Sequence, residues 1–198
     1  MTAVDLPSSD DSAGIAEYVD VVVASIGDRR DIVLVAQSMG GFTAPLVAER
    51  VAVEMIVLVA GMVPNVGESP GDWWANTGQP DAQRLRAEEE GYSAGMNDPV
   101  ALFLHDVPAE VVTESAHHVH EQSATPFMAP WPGKGWPDVP TRFLLCRDDR
   151  LFPAAFQRRV VAERLGIVPD EIEGGHLPAL ARPRELAARL HDYWVTRG

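Results

Sequence analysis

A serine in a run of small residues is the first residue of this chain that could do chemistry. Ser38 lies in the segment 36–41, Ala-Gln-Ser-Met-Gly-Gly, directly after the mostly apolar run 31–35. A tight strand-to-helix turn strains its central residue and needs small neighbours, here Ala36 and Gly40. The Ser38 hydroxyl would project beside a helix N-terminus, where an attacking oxygen and the anion it creates are stabilised. We therefore predict a nucleophilic serine.

A histidine and two aspartates follow, each after a predicted apolar strand. Asp148 and Asp149 come directly after the strand 142–146. His176 follows the strand 168–172 and is preceded by two glycines, which allow the backbone to turn sharply. A serine hydroxyl is a poor nucleophile at neutral pH, so a histidine must take its proton while a carboxylate orients the imidazole. The pattern predicts acyl transfer, and either aspartate can serve as the acid.

The residue after the serine supplies a further element of this chemistry. The backbone N–H of Met39 would donate a hydrogen bond to the developing oxyanion, and losing one such donor typically costs about 3 kcal/mol of transition-state stabilisation. Non-catalytic interpretations of each residue stay open. Ser38 could cap the following helix, Asp148 and Asp149 could satisfy loop backbone, and His176 could be a packed core histidine.

A cluster of histidines and glutamates invites a metal-binding interpretation. Zinc sites need three or four convergent ligands supported by a second layer of hydrogen bonds. We therefore expect a solvent-exposed histidine-rich helix face and no metal or other cofactor. The residues concerned are Glu114, His117, His118, His120 and Glu121. We expect structural roles for His105 and His191, and a buried, inert thiol for Cys146.

Composition and charge restrict the class of partner. The chain has 198 residues, 46% of them hydrophobic, and a formal net charge of −13. Its pI of about 4.7 argues against nucleic acid and against anionic membranes as partners. A single cysteine excludes an internal disulfide. Without a basic apolar leader or a long apolar run, we expect a cytoplasmic location. Oligomeric state cannot be read from these features.

Short apolar strands alternate with helices along most of the chain. This alternation predicts an α/β fold, mostly a parallel sheet with helices on both faces. Residues 2–4 resemble the end of a further strand. The predicted strands are 32–36, 55–60, 142–146 and 168–172, and the predicted helices are 13–26, 39–50, 154–165 and 183–195.

The segment 62–140 interrupts this alternation. It is rich in proline and glycine, has short helical pieces near 72–90 and 108–122, and contains no convincing strand. We expect it to form a lid over the site, inserted into a core made of residues 1–61 and 141–198. Four tryptophans are expected to build mainly the interior of this lid: Trp73, Trp74, Trp131 and Trp136.

Four motifs together resemble one family over most of the chain. They are Leu-Val-Ala-Gln-Ser-Met-Gly-Gly at 34–41, Ala-Gly-Met-Val-Pro at 60–64, the segment 145–158 with Asp-Asp-Arg-Leu-Phe-Pro, and Gly-Gly-His-Leu-Pro-Ala-Leu at 174–180. The chain resembles the α/β-hydrolases that include plant methylesterases and hydroxynitrile lyases, and related bacterial hydrolases. That fold places its acid between the serine and the histidine. Its frequent Asp-x-x-x-Pro pattern is matched by Asp149 with Pro153, so the resemblance implies the triad Ser38, Asp149 and His176.

One position separates the reactions of this group. Its hydroxynitrile lyases carry a lysine beside the catalytic histidine, and its esterases carry an apolar residue there. This chain has Leu177 at that position. The resemblance thus implies a serine hydrolase that cleaves a small carboxylic ester through an acyl-enzyme. A non-catalytic binding protein of the same fold and a lyase are the alternatives.

The beginning of the chain departs from the family pattern. Family members begin with a strand and an oxyanion loop rich in histidine and glycine, some tens of residues before the Asp-Leu-Pro found here at 5–7. We expect this chain to be N-terminally truncated relative to the family, with Met1 an internal start. For the chain as it stands, the resemblance implies weak or absent catalysis and poor solubility.

Overall fold

The computed structural model describes residues 1–92 and 98–196. The chain forms two compact units, one of Met1–Trp73 with His120–Arg142 and one of Trp74–Val119 with Phe143–Gly198. The predicted lid 62–140 contributes residues to both units, and its residues 93–97 lie outside the described part. The division into core and lid stays a prediction.

The first unit contains a parallel strand pair covered by helices. Its elements are α1 (Ile15–Ile26), β1 (Val33–Gln37), α2 (Gly40–Ala48) and β2 (Met55–Val59), and α3 (Pro70–Thr77) begins in it. In the pair, Val33 lies opposite Met55 and Gln37 opposite Val59. All five residues of β2 are buried. Helix α2 packs against both β1 and α1, so the turn between β1 and α2 rests on a packed core.

Two buried tryptophans anchor the remainder of this unit. The indole N–H of Trp73 donates to the carbonyl oxygen of Val63 at 3.0 Å. The indole N–H of Trp131 donates to the carbonyl oxygen of Phe42, in α2, at 2.9 Å. Each large ring therefore fills the interior with its one polar group satisfied.

The second unit also contains a parallel pair, formed by the last two strands. Leu144 lies opposite Asp170, and Cys146 lies opposite Ile172. The strands are β3 (Thr141–Cys146), which begins in the first unit, and β4 (Asp170–Ile172). The helices are α4 (Gln79–Glu90), α5 (Pro99–Phe103), α6 (Ala109–Ser115), α7 (Ala154–Leu165), α8 (Pro178–Ala181) and α9 (Pro183–Val195). In the described ranges, no helix has the length and apolarity needed to cross a membrane.

The predicted α/β class and its parallel pairing are confirmed, with local differences. Residues 2–4 are not a strand, because no described strand pairs with them in the sheet. The predicted helix 72–90 is two helices separated at Gly78, whose φ of 66° ends α3. The predicted helix 108–122 stops after α6 and a 3₁₀ turn at Ala116–His118. Since α6 contains no fully buried residue, packing does not extend it.

Candidate active site

Ser38 occupies a strained turn between β1 and α2. Its φ of 51° lies in the left-handed region, which is unfavourable for a residue with a side chain. Three backbone hydrogen bonds hold it there. Its N–H donates to Val59 at 3.2 Å, and its carbonyl oxygen accepts from Gly41 at 3.1 Å and from Met62 at 2.8 Å. The serine is thus fixed by the end of β2, by the segment just beyond it and by the first turn of α2.

The glycine pair after the serine has one tightly constrained member. A Cβ placed on Gly41 would lie 1.9 Å from the carbonyl oxygen of Met62. A Cβ on Gly40 would lie 3.4 Å from the Cβ of Ala36, which is close to ordinary contact. The motif directs attention to Gly40, but the absence of a side chain is required most strictly at Gly41.

Met39 follows the serine at the start of α2. Among the described residues, its backbone N–H donates no hydrogen bond, whereas its carbonyl oxygen accepts from Phe42 at 3.0 Å. A free N–H at a helix N-terminus is a suitable donor to a developing oxyanion. The predicted role of Met39 is compatible with this placement.

Asp149 and His176 form a buried hydrogen-bonded pair in the second unit. The Nδ1 atom of His176 lies 2.7 Å from the Oδ2 atom of Asp149, and each residue is 2% exposed. The Oδ1 atom accepts the N–H groups of Leu151 and Phe152, both at 2.8 Å. A carboxylate oxygen at this distance is an acceptor for an Nδ1–H donor, so the contact suits the imidazole tautomer that has its proton on Nδ1 and none on Nε2. The pair is therefore arranged so that Nε2 can take a proton.

The neighbouring aspartate contacts the backbone instead of the imidazole. The Oδ2 atom of Asp148 accepts the N–H of Gly174 at 3.0 Å, and the Asp148 N–H donates to the Gly174 carbonyl oxygen at 3.0 Å. Asp148 is exposed. Of the two aspartates that the sequence leaves open, Asp149 is the one that the structure brings to His176.

Aromatic rings surround the imidazole of His176. The rings of Phe103 and Phe152 approach it edge-on, with centroid distances of 5.5 and 5.0 Å. Trp74 packs against Phe152 in turn, at 5.6 Å. These rings exclude water, and electrostatic interactions are stronger where water is excluded. The Asp149–His176 interaction is accordingly screened very little.

Two buried glutamines hold the acid loop (residues 147–153). The Nε2 atom of Gln157 donates to the carbonyl oxygen of Phe152 at 2.5 Å. The Nε2 atom of Gln79 donates to the carbonyl oxygen of Leu151 at 2.6 Å. Both glutamines are 2% exposed. Outer hydrogen bonds of this kind fix the geometry of the groups that act, and the motif analysis did not identify either residue.

Cys146, at the end of β3, matches the predicted inert thiol. It is fully buried, and burial raises its pKa far above the ordinary value for cysteine. The nearby carboxylates of Asp149, Asp106 and Asp148 raise it further. A thiol in these surroundings stays protonated and is neither a nucleophile nor a metal ligand at neutral pH.

The histidine-rich cluster lies in solvent. Glu114, His117, His118, His120 and Glu121 are all exposed. Its closest charged contact joins His118 Nε2 to Glu114 Oε1 at 3.7 Å. No group of three potential metal ligands occurs in the part of the chain that the structure describes. The expected exposure of these side chains is confirmed, but the expected single helix face is not, because His120 and Glu121 lie beyond the 3₁₀ turn that ends at His118.

Comparison with known proteins identifies the family of this chain. Norfluorocurarine synthase 1 of a Strychnos species is 21% identical, over 97% of this chain and 84% of that protein. An extracellular alpha/beta-hydrolase from a Paenibacillus species has a similar fold, with a TM-score of 0.72. The two chains are 18% identical, and the match covers 92% of this chain and 81% of that one. That enzyme is described as sharing structural and functional homology with tobacco salicylic acid binding protein 2. Polyneuridine aldehyde esterase gives a TM-score of 0.71, at 19% identity over 96% of this chain and 86% of that one. Residues 2–189 match the alpha/beta hydrolase family, and the chain belongs to that family, as its motifs predict.

Proposed function

We propose that this protein is a serine hydrolase that cleaves a small carboxylic ester. Ser38 is the nucleophile, His176 the general base and acid, and Asp149 the residue that orients the imidazole. The observation that carries the proposal is the buried hydrogen bond of 2.7 Å between His176 Nδ1 and Asp149 Oδ2. It leaves Nε2 ready to accept a proton, which is what activation of a serine hydroxyl requires.

The first half-reaction forms an acyl-enzyme. The Oγ atom of Ser38 attacks the ester carbonyl carbon while His176 Nε2 takes the hydroxyl proton. The carbonyl oxygen becomes an oxyanion and accepts a hydrogen bond from the N–H of Met39. When the tetrahedral intermediate collapses, the bond to the alcohol oxygen breaks, and His176 returns its proton to that oxygen. The alcohol leaves, and the acyl group stays on Ser38.

The second half-reaction uses water in place of the alcohol. His176 takes a proton from a water molecule as its oxygen attacks the acyl carbon, and the Met39 N–H again stabilises the oxyanion. Collapse breaks the bond to Ser38, which regains a proton from His176. Water is the single co-substrate, so the balanced reaction needs no cofactor.

Family membership and one structural neighbour favour an ester as the substrate. The alpha/beta hydrolase family matches almost the whole chain, and polyneuridine aldehyde esterase, whose name states its reaction class, shares the fold. The aromatic rings around His176 provide apolar surroundings suited to a neutral molecule. A small neutral ester also suits a chain of net charge −13, which does not attract anions.

Turnover of short nitrophenyl esters tests the proposal. We expect slow hydrolysis by the wild-type protein, in keeping with the weak catalysis expected from its sequence, and a fall of kcat/KM to the uncatalysed background in Ser38→Ala, because the nucleophile is removed. Ser12→Ala is the matched control, since Ser12 is an exposed serine in the turn before α1 and has no role in the proposed reaction; its kcat/KM should stay within about twofold. Equal rates in wild type and Ser38→Ala would exclude Ser38 as the nucleophile.

Acid-quenched mass spectrometry distinguishes the proposed esterase from its two alternatives, a non-catalytic binding protein and a lyase. An esterase of the proposed type accumulates a protein species heavier by one acyl group. A binding protein of the same fold shows no added mass and no turnover. A lyase cleaves its substrate without forming an acyl-enzyme, and Leu177 offers no cation for a cyanide leaving group.

A further inference from the structure

A carboxylate with no place in the proposed reaction contacts the histidine loop (residues 173–177). Asp106 lies between α5 and α6, and its Oδ2 atom accepts the N–H of Gly175 at 2.8 Å. Gly175 directly precedes His176 in the chain. The bond therefore fixes the backbone one residue away from the imidazole.

The two glycines of this loop make room for Asp106. A Cβ on Gly174 would lie 2.8 Å from Asp106 Oδ2, and its φ of 103° disfavours any other residue. A Cβ on Gly175 would lie 2.8 Å from Asp106 Oδ1 and 2.7 Å from His105 Nε2. The glycines thus serve the close approach of these side chains as well as the turn that the sequence predicts.

Placing Asp106 against the histidine loop does not maximise the stability of the fold. Its Oδ1 atom is buried and has no hydrogen-bond partner among the described residues, and the same is true of His105 Nε2. Within those residues, no basic group forms an ion pair with Asp106. A buried polar atom without a partner typically costs about 1–3 kcal/mol. Buried polar atoms that lack a hydrogen-bond partner break the usual rules of a stable interior, and such exceptions are typical of functional sites.

We infer that Asp106 is a positioning residue: by holding the Gly175 N–H, it sets the place of the His176 imidazole against Asp149. The imidazole must keep both its bond to Asp149 and the direction of Nε2, and a shift of about 1 Å in such a group can cost about 100-fold in rate. The kinetic consequence rests on the proposed hydrolase function. The structural consequence, a displaced His176, does not depend on it.

Kinetics of two Asp106 variants test the inference. In Asp106→Ala, we expect kcat for ester hydrolysis to fall by about 10- to 100-fold, with KM within about threefold, because the base is displaced and not the substrate. In Asp106→Asn, an oxygen still accepts the Gly175 N–H, and the new NH₂ group can face His105 Nε2, so we expect kcat within about fivefold of wild type.

Asp10→Ala is the matched control. Asp10 is an exposed aspartate that also accepts a backbone N–H, from Ser12 at 2.8 Å, and this change should leave kcat within about twofold. A wild-type kcat in Asp106→Ala would overturn the inference. An Asp106→Asn variant as slow as Asp106→Ala would also overturn it, because charge and not the hydrogen bond would then be responsible.

Proton NMR gives a readout that needs no activity. The Nδ1 proton of His176, bonded to Asp149, should give a resolved low-field signal. We expect this signal to shift or broaden in Asp106→Ala and to stay in place in Asp106→Asn. An unchanged signal in Asp106→Ala overturns the inference whether or not the protein hydrolyses esters. If the wild-type protein lacks esterase activity but its variants show the expected NMR pattern, the proposed function is refuted and the inference about Asp106 is not.

If Asp106→Ala does not fold, Asp106→Ser replaces it, because the serine hydroxyl is too short to reach the N–H of Gly175.

Discussion

At the scale of single residues, two adjacent aspartates have different partners around His176. Asp149 is buried and bonds the imidazole, whereas Asp148 is exposed and bonds the backbone of Gly174. The difference follows from the acid loop, in which the N–H groups of Leu151 and Phe152 hold one carboxylate oxygen of Asp149 inside the protein. Because Asp148 and Asp149 are adjacent in the sequence, their positions alone do not show which of them bonds His176.

Exchanging each aspartate for asparagine tests this assignment. In Asp149→Asn, kcat for ester hydrolysis should fall by about 10,000-fold, because an amide no longer selects the tautomer with Nδ1 protonated. In Asp148→Asn, the loss should be less than about tenfold, because an exposed hydrogen bond to the backbone contributes little. Steady-state kinetics on both variants make the comparison. A larger loss in Asp148→Asn than in Asp149→Asn would show that the acid has been assigned to the wrong residue.

The buried thiol supports a separate prediction. Because burial and nearby carboxylates raise the pKa of Cys146, the folded protein should not react with iodoacetamide at neutral pH within hours. In denaturant, the same thiol should be alkylated fully. Intact-mass measurement follows both reactions. Rapid alkylation of the folded protein would mean that Cys146 is accessible and ionised.

At the scale of elements, the turn between β1 and α2 depends on a close backbone approach. Ser38 keeps its φ of 51° because Val59, at the end of β2, and Met62, just beyond it, bond its N–H and its carbonyl oxygen. Met62 can reach this turn only because Gly41 has no side chain. The strained conformation of the serine is thus held by backbone groups of α2, of β2 and of the segment after β2, all of which follow it in the chain.

The glycine pair gives a matched test of this dependence. In Gly41→Ala, the new Cβ would overlap the carbonyl oxygen of Met62, and we expect the free energy of unfolding to fall by about 2 kcal/mol or more. In Gly40→Ala, the Cβ has room beside Ala36, and helix propensity should raise stability by up to about 1 kcal/mol. Urea denaturation measures both changes. Equal stability of the two variants would contradict the proposed support of the turn.

Elements with a clear apolar period could be predicted from the sequence. Helices α7 and α9 begin and end at the predicted residues, β1 is shifted by one residue at both ends, and β2 ends one residue earlier than predicted. The pieces between residues 62 and 140 were predicted less well, because their helices are short and few of their side chains are buried. There, local turns such as Gly78, and not periodicity, decide where a helix ends.

The residues of the site differ in the same way. Ser38, Asp149 and His176 could be selected because each follows a strand and matches a motif. Asp106, Gln79 and Gln157 could not, because a single aspartate or glutamine in a helical or loop segment has no distinctive spacing. Asp106 lies 69 residues from Gly175 and Gln79 lies 72 residues from Leu151, whereas Gln157 contacts Phe152 from five residues away. Only the three-dimensional arrangement reveals them.

At the scale of the whole molecule, charge determines which partners are attracted. Sixteen lysine and arginine residues oppose 29 aspartate and glutamate residues, which gives the net charge of −13. Such a surface repels polyanions and leaves neutral molecules unaffected. The acidic balance is therefore compatible with the proposed neutral ester substrate, and it predicts that this chain does not bind nucleic acid.

A binding assay at low ionic strength tests the charge argument. With duplex DNA or with vesicles of anionic lipid, we expect no retention of the protein at about 50 mM salt, where electrostatic attraction to phosphate is strongest. Lysozyme, a basic protein, serves as the positive control. Salt-sensitive retention of this protein would contradict the argument and would indicate a basic surface that the net charge conceals.

Fluorophosphonate labelling with peptide mass spectrometry tests the central claim most directly, since the reagent reacts much faster with a serine that a neighbouring base activates than with an ordinary serine. The account predicts one phosphonyl group on Ser38 in the wild-type protein, and labelling slower by at least about 100-fold in His176→Ala. A protein that stays unlabelled, a label on another residue, or equal labelling of His176→Ala and wild type would contradict it.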